Sequence, residues 1–356
     1  MHMADALVSP AVGMTFCAVS AGFVVYASRK VSVASDDMKA PLMGILGAFI
    51  FAAQMINFSI PGTGSSGHLG GGLILAALLG KHAAAVTMAS VLFIQAFMFA
   101  DGGLLALGCN IFNLAVIPCY VAYPFIFQKL ISNDSADISQ GRINAASVVA
   151  SIVALQFGAF AVVMQTYSSE VSELPFFHFL LLMQPIHFAI GIVEGLATSS
   201  VVSFVWKNRP ELLSGELKSS SSRSWSVRKI LYMTAFAAIF TGAVLSWFAS
   251  SAPDGLEWST MRVSGKEELN VPDKPVYSFL AAIQSKLALF PDYKFRISQN
   301  TENTAVEAWP EVNAGTSISG LAGGLSIVLL MVLFGKIVNR KSFSLVPNQS
   351  IEESTE

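Results

Sequence analysis

The stretch Asn57-Phe-Ser-Ile-Pro-Gly-Thr-Gly-Ser-Ser-Gly-His68, with the apolar run 69–80 and Lys81 after it, decides how this chain is built. As a helix, residues 69–80 cover only about 18 Å, whereas a bilayer's hydrocarbon is about 30 Å thick. If Lys81 still reaches the far side, the missing length comes from residues before Leu69. His68 is then expected at or inside the membrane edge, where non-helical backbone survives only if buried in protein or lining a polar cavity. Gly62, Gly64, Gly67, Gly70, Gly71 and Gly72 let another segment approach closely, and the amino terminus is the segment expected there. The alternative reading, a flexible outer loop followed by a close-packed glycine face of a helix, stays open at this point.

A membrane is implied because the chain of 356 residues is 53% hydrophobic and only 12% charged, with a mean hydropathy of +0.60. Soluble domains carry about 25% charged residues, so lipid is the expected solvent. The net charge of −2 gives no reason to expect nucleic acid. Apolar runs fall at 11–28, 41–57, 69–80, 83–100, 104–127, 145–167, 176–206, 230–249 and 317–335. They predict an all-α integral membrane protein, a polytopic bundle of about nine transmembrane helices, seven before the linker and two after it.

Lysine and arginine orient the bundle. Lys30, Lys39, Lys81, Lys129, Arg142, Lys207, Arg228 and Lys336 follow odd-numbered runs, while 1–10, 58–68, 101–103 and 168–175 contain neither residue. This asymmetry predicts an outer amino terminus and a cytoplasmic carboxy terminus in a prokaryotic cell membrane. It puts Met1, His2 and His68 on one face. Arg29 and Lys30 follow the first apolar run where a cleavable leader would have them precede it, so the amine of Met1 is expected to survive.

That amine, the backbone nitrogen of His2 and the His2 Nδ1 can close adjacent chelate rings on one metal ion. Flat nitrogen sets suit Ni(II) and Cu(II), imidazole also suits cobalt and zinc, and His68 is the best fourth donor. Asp101 in Asp101-Gly102-Gly103 is a candidate because ionisable groups at membrane depth are costly, with helix capping as the bland alternative. Asn110 and Asn113, three apart on a helix face, are candidates for orienting the His2 or His68 ring. Asn57 opens the loop and joins the candidate cavity lining. His187 and Glu194, seven apart on one face, are read as a possible interhelical polar pair, with a proton relay or metal ligation as the lesser reading. Cys17, Cys109 and Cys119 lack CxxC spacing and read as small apolar residues.

Residues 207–229 are a polar, serine-rich linker. Beyond it, 230–338 is expected to hold two spans around an outer segment, 250–316, with the turn sequence Pro253-Asp254-Gly255-Leu256-Glu257-Trp258. Gly320 and Gly324 give a GxxxG spacing for packing one helix on another, and 339–356 is a polar tail.

Taken together these residues resemble the CbiM/NikM membrane subunits of energy-coupling-factor cobalt and nickel importers. The match rests on Met1-His2 with Ser9-Pro10, on Asn57-Phe58 through Ser66-Gly67-His68-Leu69, on Asp101 through Gly108 with Asn110 and Asn113, and on His187 through Glu194-Gly195. It covers residues 1–206, the metal-binding domain, and 230–338 is similar to a PDGLE (NikN/CbiN-like) module. The resemblance implies metal held by Met1, His2 and His68, transport of Co²⁺ or Ni²⁺, no catalytic residues and no cofactor. It also implies a partner transmembrane (T-type) subunit and cytoplasmic ATPase subunits. The chain cannot hydrolyse ATP by itself, since Gly80-Lys81-His82 lacks the phosphate loop's first glycine and the Ser/Thr after lysine. It departs from the family at Ala4-Asp5-Ala6-Leu7, where a glycine and an aromatic residue are common. A self-sufficient secondary carrier or channel is the alternative. An intramembrane enzyme is disfavoured by the absence of HExxH and of a recognisable nucleophile serine.

Overall fold

Ser9 accepts a hydrogen bond from Val12 N at 3.4 Å and Pro10 follows it, so α1 (Pro10–Lys30) begins with a side-chain cap and a proline that needs no donor. The computed structural model describes residues 2–31, 39–132, 138–208, 213, 226–266, 269–296 and 309–343. Met1, most of the 207–229 linker and the tail beyond 343 lie outside the described residues. In chain order there follow α2 (Lys39–Gln54), an antiparallel hairpin of β1 (Phe58–Ile60) and β2 (Ser65–Gly67), and α3 (Gly72–Leu79). Next come α4 (Lys81–Met98), α5 (Leu107–Ile131), α6 (Gln140–Ser169) and α7 (Phe176–Asn208). The second module contributes α8 (Val227–Ala243), α9 (Gly255–Ser264), α10 (Pro275–Leu287) and α11 (Ala314–Phe343).

All nine apolar runs are helical among the described residues, but they differ in length. Among the described residues six helices are long and apolar enough to cross a membrane: α1, α4, α5, α6, α7 and α11. α2 and α8 have 16 and 17 residues. α3 has eight, about 12 Å of helix, and every one of them is buried. The expected short run is thus shorter still, because Leu69, Gly70 and Gly71 belong to the irregular backbone that carries His68.

Small residues set the packing. Gly191 and Gly195 bring α7 against the backbone of α6, where a Cβ on Gly195 would come within 2.5 Å of the Val148 Cα. Gly320 of α11 meets Gly242 of α8, and Gly324 lies against Ala48 of α2, so the GxxxG spacing joins the two modules. Large apolar side chains face outward, among them Met14, Phe157, Phe177, Leu181, Phe236 and Leu329. This is the surface a lipid-solvated bundle presents, and the chain is a multi-pass membrane protein.

α9 and α10 lie across one end of the bundle. Ser250 N donates to Asn57 O at 2.7 Å, Tyr277 Oη donates to Val8 O at 3.0 Å, and Gln284 Nε2 donates to Ala96 O and Gly102 O at 3.0 and 2.8 Å. This covered end is where the amino terminus and the His68 loop meet.

Candidate metal-binding site

The first residues are threaded into the bundle by hydrogen bonds that extended backbone leaves available. Met3 N donates to Asn110 Oδ1 at 2.8 Å, and Met3 O accepts from Asn110 Nδ2 at 3.2 Å and from Gly103 N at 2.9 Å. The Met3 side chain is fully buried and its Sδ lies 3.8 Å from Asn113 Nδ2, which also donates to Gln165 Oε1 at 2.8 Å. Asp5 Oδ1 then accepts from Leu105 N and Ala106 N at 2.8 and 3.1 Å. A Cβ on Gly103 would strike the Asp5 carboxylate, so glycine is required where the terminus passes.

The His68 loop is held from a different direction. Glu194, buried on α7, accepts from Gly70 N at 2.8 Å and Gly71 N at 3.0 Å, capping the start of α3 with a carboxylate from another helix. Gln54 Nε2 donates to Gly70 O at 2.9 Å, and Gln95 Nε2 donates to Gln54 Oε1 at 2.9 Å. Gly71 has φ +78°, a left-handed conformation that an L side chain resists, and this turns the chain from the loop into α3.

Between these two anchorages the rings of His2 and His68 stack, with centroids 5.1 Å apart and planes 15° from parallel. His2 Nδ1 lies 3.3 Å from Asp101 Oδ1, and Asp101 Oδ2 accepts from Tyr293 Oη at 2.5 Å. His68 Nδ1 lies 3.1 Å from Leu69 O, and because a carbonyl only accepts, that nitrogen carries the proton and Nε2 keeps its lone pair. His68 Nε2 faces Asp254 Oδ2 at 3.9 Å. A cavity of about 650 Å³ opens over this group, lined among others by Gln54, Asn57, Asp101, Glu257 and Tyr293. Burial lowers the pKa of both imidazoles, so both are neutral donors at ordinary pH. Asp254 pushes the neighbouring Glu257 carboxyl up, so the negative charge of that pair rests on Asp254.

His2, His68, Asp101 and Asn57 therefore come together as the sequence suggests, and Met1 lies outside the described residues. Asn110 and Asn113 belong to the same region, where they grip Met3, the residue after His2. The polar pair of His187 and Glu194 does not form. Seven residues of helix put them about 10 Å apart along the axis, so Glu194 caps α3 while His187 Nδ1 donates to Met183 O at 2.8 Å. The close approach of the terminus is at Gly102 and Gly103, whereas Gly67, Gly70, Gly71 and Gly72 admit Ile190, Glu194, Ile50 and α5. Sequence reasoning missed Asp5, Gln54, Gln95, Asp254 and Tyr293. Asp5 stood out only as a family departure, and Asp254 only as a turn former. Among the described residues no three His, Cys, Asp or Glu side chains converge as a metal cluster. The three cysteines are free.

Comparison with known proteins now adds to this geometry. Residues 2–212 match the family model for the cobalt uptake substrate-specific transmembrane region, CbiM. The chain belongs to the CbiM family. Residues 228–340 match the PDGLE domain, so the CbiM region and the PDGLE module are fused in one polypeptide. A provisionally named fused nickel transport protein NikMN of Archaeoglobus fulgidus is 29% identical over 340 residues, covering 93% of this chain and 96% of that one. A provisionally named metal transport protein of Haloquadratum walsbyi is 33% identical over 223 residues, covering 62% of this chain and 97% of its own. A crystal structure of a transition metal transporter superposes with a TM-score of 0.51 at 29% identity, covering 58% of this chain and 93% of that one. The fold and the CbiM membership place the chain among metal uptake proteins of the membrane.

Proposed function

We propose that this chain is the substrate-specific membrane component of an ATP-driven, energy-coupling-factor-type importer for Co²⁺ or Ni²⁺. The ion is its cargo, and the donors are the amine of Met1, the backbone nitrogen and Nδ1 of His2, and Nε2 of His68. The observation that carries this reading is the stack of His2 on His68 at 5.1 Å, two rings 66 positions apart in sequence held by separate sets of hydrogen bonds. Two of the four donors are main-chain nitrogens, which a cluster of acidic and histidine side chains would not supply. The Leu69 carbonyl fixes the His68 tautomer that leaves Nε2 for the metal. His2 Nδ1 lies 3.3 Å from Asp101 Oδ1, so ligation through that nitrogen takes it from the carboxylate.

In this reading the amino terminus faces outward, the carboxy terminus is cytoplasmic, and residues 1–206 and 230–338 act as metal-binding and PDGLE-type domains. The lysine and arginine asymmetry supports that orientation. A T-type transmembrane subunit and cytoplasmic ATPases supply the energy, because this chain has no phosphate loop. The test is an equilibrium titration of detergent-solubilised protein with Co²⁺ and Ni²⁺. A native terminus binds tightly; one residue added before Met1, or His68→Ala, abolishes tight binding while the circular dichroism spectrum is unchanged. Undiminished binding by the extended protein overturns the proposal.

A further inference from the structure

The turn that carries Asp101 is built by both modules. It leaves α4 with Ala100 at φ +56° and Gly102 at φ +84°, and its backbone is held from the PDGLE side. Phe290 N donates to Met98 O at 3.1 Å, Asp292 N to Phe99 O at 2.9 Å, and Gln284 Nε2 to Gly102 O at 2.8 Å. The segment making these bonds is itself strained. Asp292 and Tyr293 stand at φ +51° and +60°, a left-handed conformation that L side chains resist and that persists only where surrounding contacts impose it. Those contacts include an aromatic stack: the Tyr293 ring lies on Phe99 with centroids 4.8 Å apart and planes 17° from parallel, and the Phe51 ring is 6.1 Å away.

The stack aims the phenol at the site. Tyr293 Oη donates to Asp101 Oδ2 at 2.5 Å while accepting from Gln95 Nε2 at 3.5 Å. Asp101 Oδ1, the other oxygen of the same carboxylate, lies 3.3 Å from His2 Nδ1. A carboxylate oxygen accepts, so the nitrogen facing it carries a proton, whereas the same nitrogen must offer its lone pair to bind an ion. Asp101 and the ion therefore compete for one atom. We infer that Tyr293 is a positioning residue supplied by the PDGLE module: by holding Asp101 on His2 it sets how tightly the transported ion binds, and it keeps a partner in place for the ring when the ion leaves. The fused module thus tunes capture and release through a residue that touches no metal.

This inference rests on the donor set proposed above, and the test separates the two. Tyr293→Phe keeps the ring on Phe99 and removes only the hydroxyl. Full-length protein with its native terminus is titrated with Co²⁺ and Ni²⁺ beside Tyr293→Phe, Asp101→Ala and the double variant. Tyr293→Phe is expected to bind about fivefold more tightly, the worth of one typical hydrogen bond. In the Asp101→Ala background it is expected to change nothing, because the phenol acts through the carboxylate. Loss of a merely structural contact would not tighten binding. In metal-free protein labelled with ¹⁵N-histidine, the His2 ring is expected to carry its proton on Nδ1, and Tyr293→Phe to shift the signal towards the other tautomer. Unchanged or weaker binding by Tyr293→Phe, the same gain in both backgrounds, or a His2 ring protonated only at Nε2 in the native protein overturns the role of Tyr293. Tight binding by protein with one residue added before Met1 overturns the donor set itself, and with it this inference.

Discussion

Asn110 holds the Met3 backbone at both its N–H and its C=O, through its own carbonyl and its own amide, so the position of His2 one residue earlier depends on this side chain. Asn110→Ala leaves the buried Met3 N–H without that acceptor, an omission that costs about 1–3 kcal/mol. Metal affinity is expected to fall about tenfold, as when groups that orient ligands are removed; an isothermal titration of the variant checks it. The two imidazoles also set a pH dependence. Burial lowers the folded-state pKa of His2 and His68 below the ordinary 6.5, so the unfolding chain takes up protons first as pH falls. Stability is then fully present above about pH 6.5 and declines below it, towards the lowered values. Melting of metal-free protein should occur at a lower temperature at about pH 5 than at about pH 7.5, and a His2→Gln, His68→Gln double variant should show a flatter profile.

α3 is the element on which the site stands. Its eight buried residues make few turns of their own, and the Glu194 carboxylate from α7 satisfies the Gly70 and Gly71 donors ahead of it. Glu194→Ala strands both N–H groups in the interior at about 1–3 kcal/mol each, whereas Glu194→Gln keeps an acceptor and loses the charge. Thermal melting in detergent should fall most for alanine and less for glutamine, with metal affinity following the same order. Equal melting for all three proteins would show that the loop is held by other contacts. The residues grouped Glu194 with His187 but gave no hint of its partner, since that periodicity says which face it occupies and nothing about what faces it.

Over the whole molecule the two modules share one interior. α11 packs on α2 and α8 through Gly320 and Gly324, and α9 and α10 bond to the hairpin and to the amino-terminal segment. Splitting the gene between residues 215 and 225 and expressing both parts together should therefore give two chains that co-purify and bind metal as the fused protein does. Replacing Gly320 with leucine in the split form should separate them, because a Cβ there meets the Gly242 backbone within contact distance. Size-exclusion chromatography and metal titration read both outcomes.

The residues by themselves determined that this chain is helical and membrane-embedded, because lipid solvation and the length of a bilayer crossing act on composition and run length directly. They also picked out His2, His68 and Asp101, since polar groups in an apolar chain are few enough to be noticed one by one. Only the tertiary structure decided that six helices among the described residues are long and apolar enough to cross a membrane, that α3 is a short buried helix, and that Asp254 comes to His68 across 186 positions of sequence. Pattern in a sequence reports on neighbours along one element, whereas the partner of a capping aspartate or a buried glutamate is fixed by which distant segment folds against it.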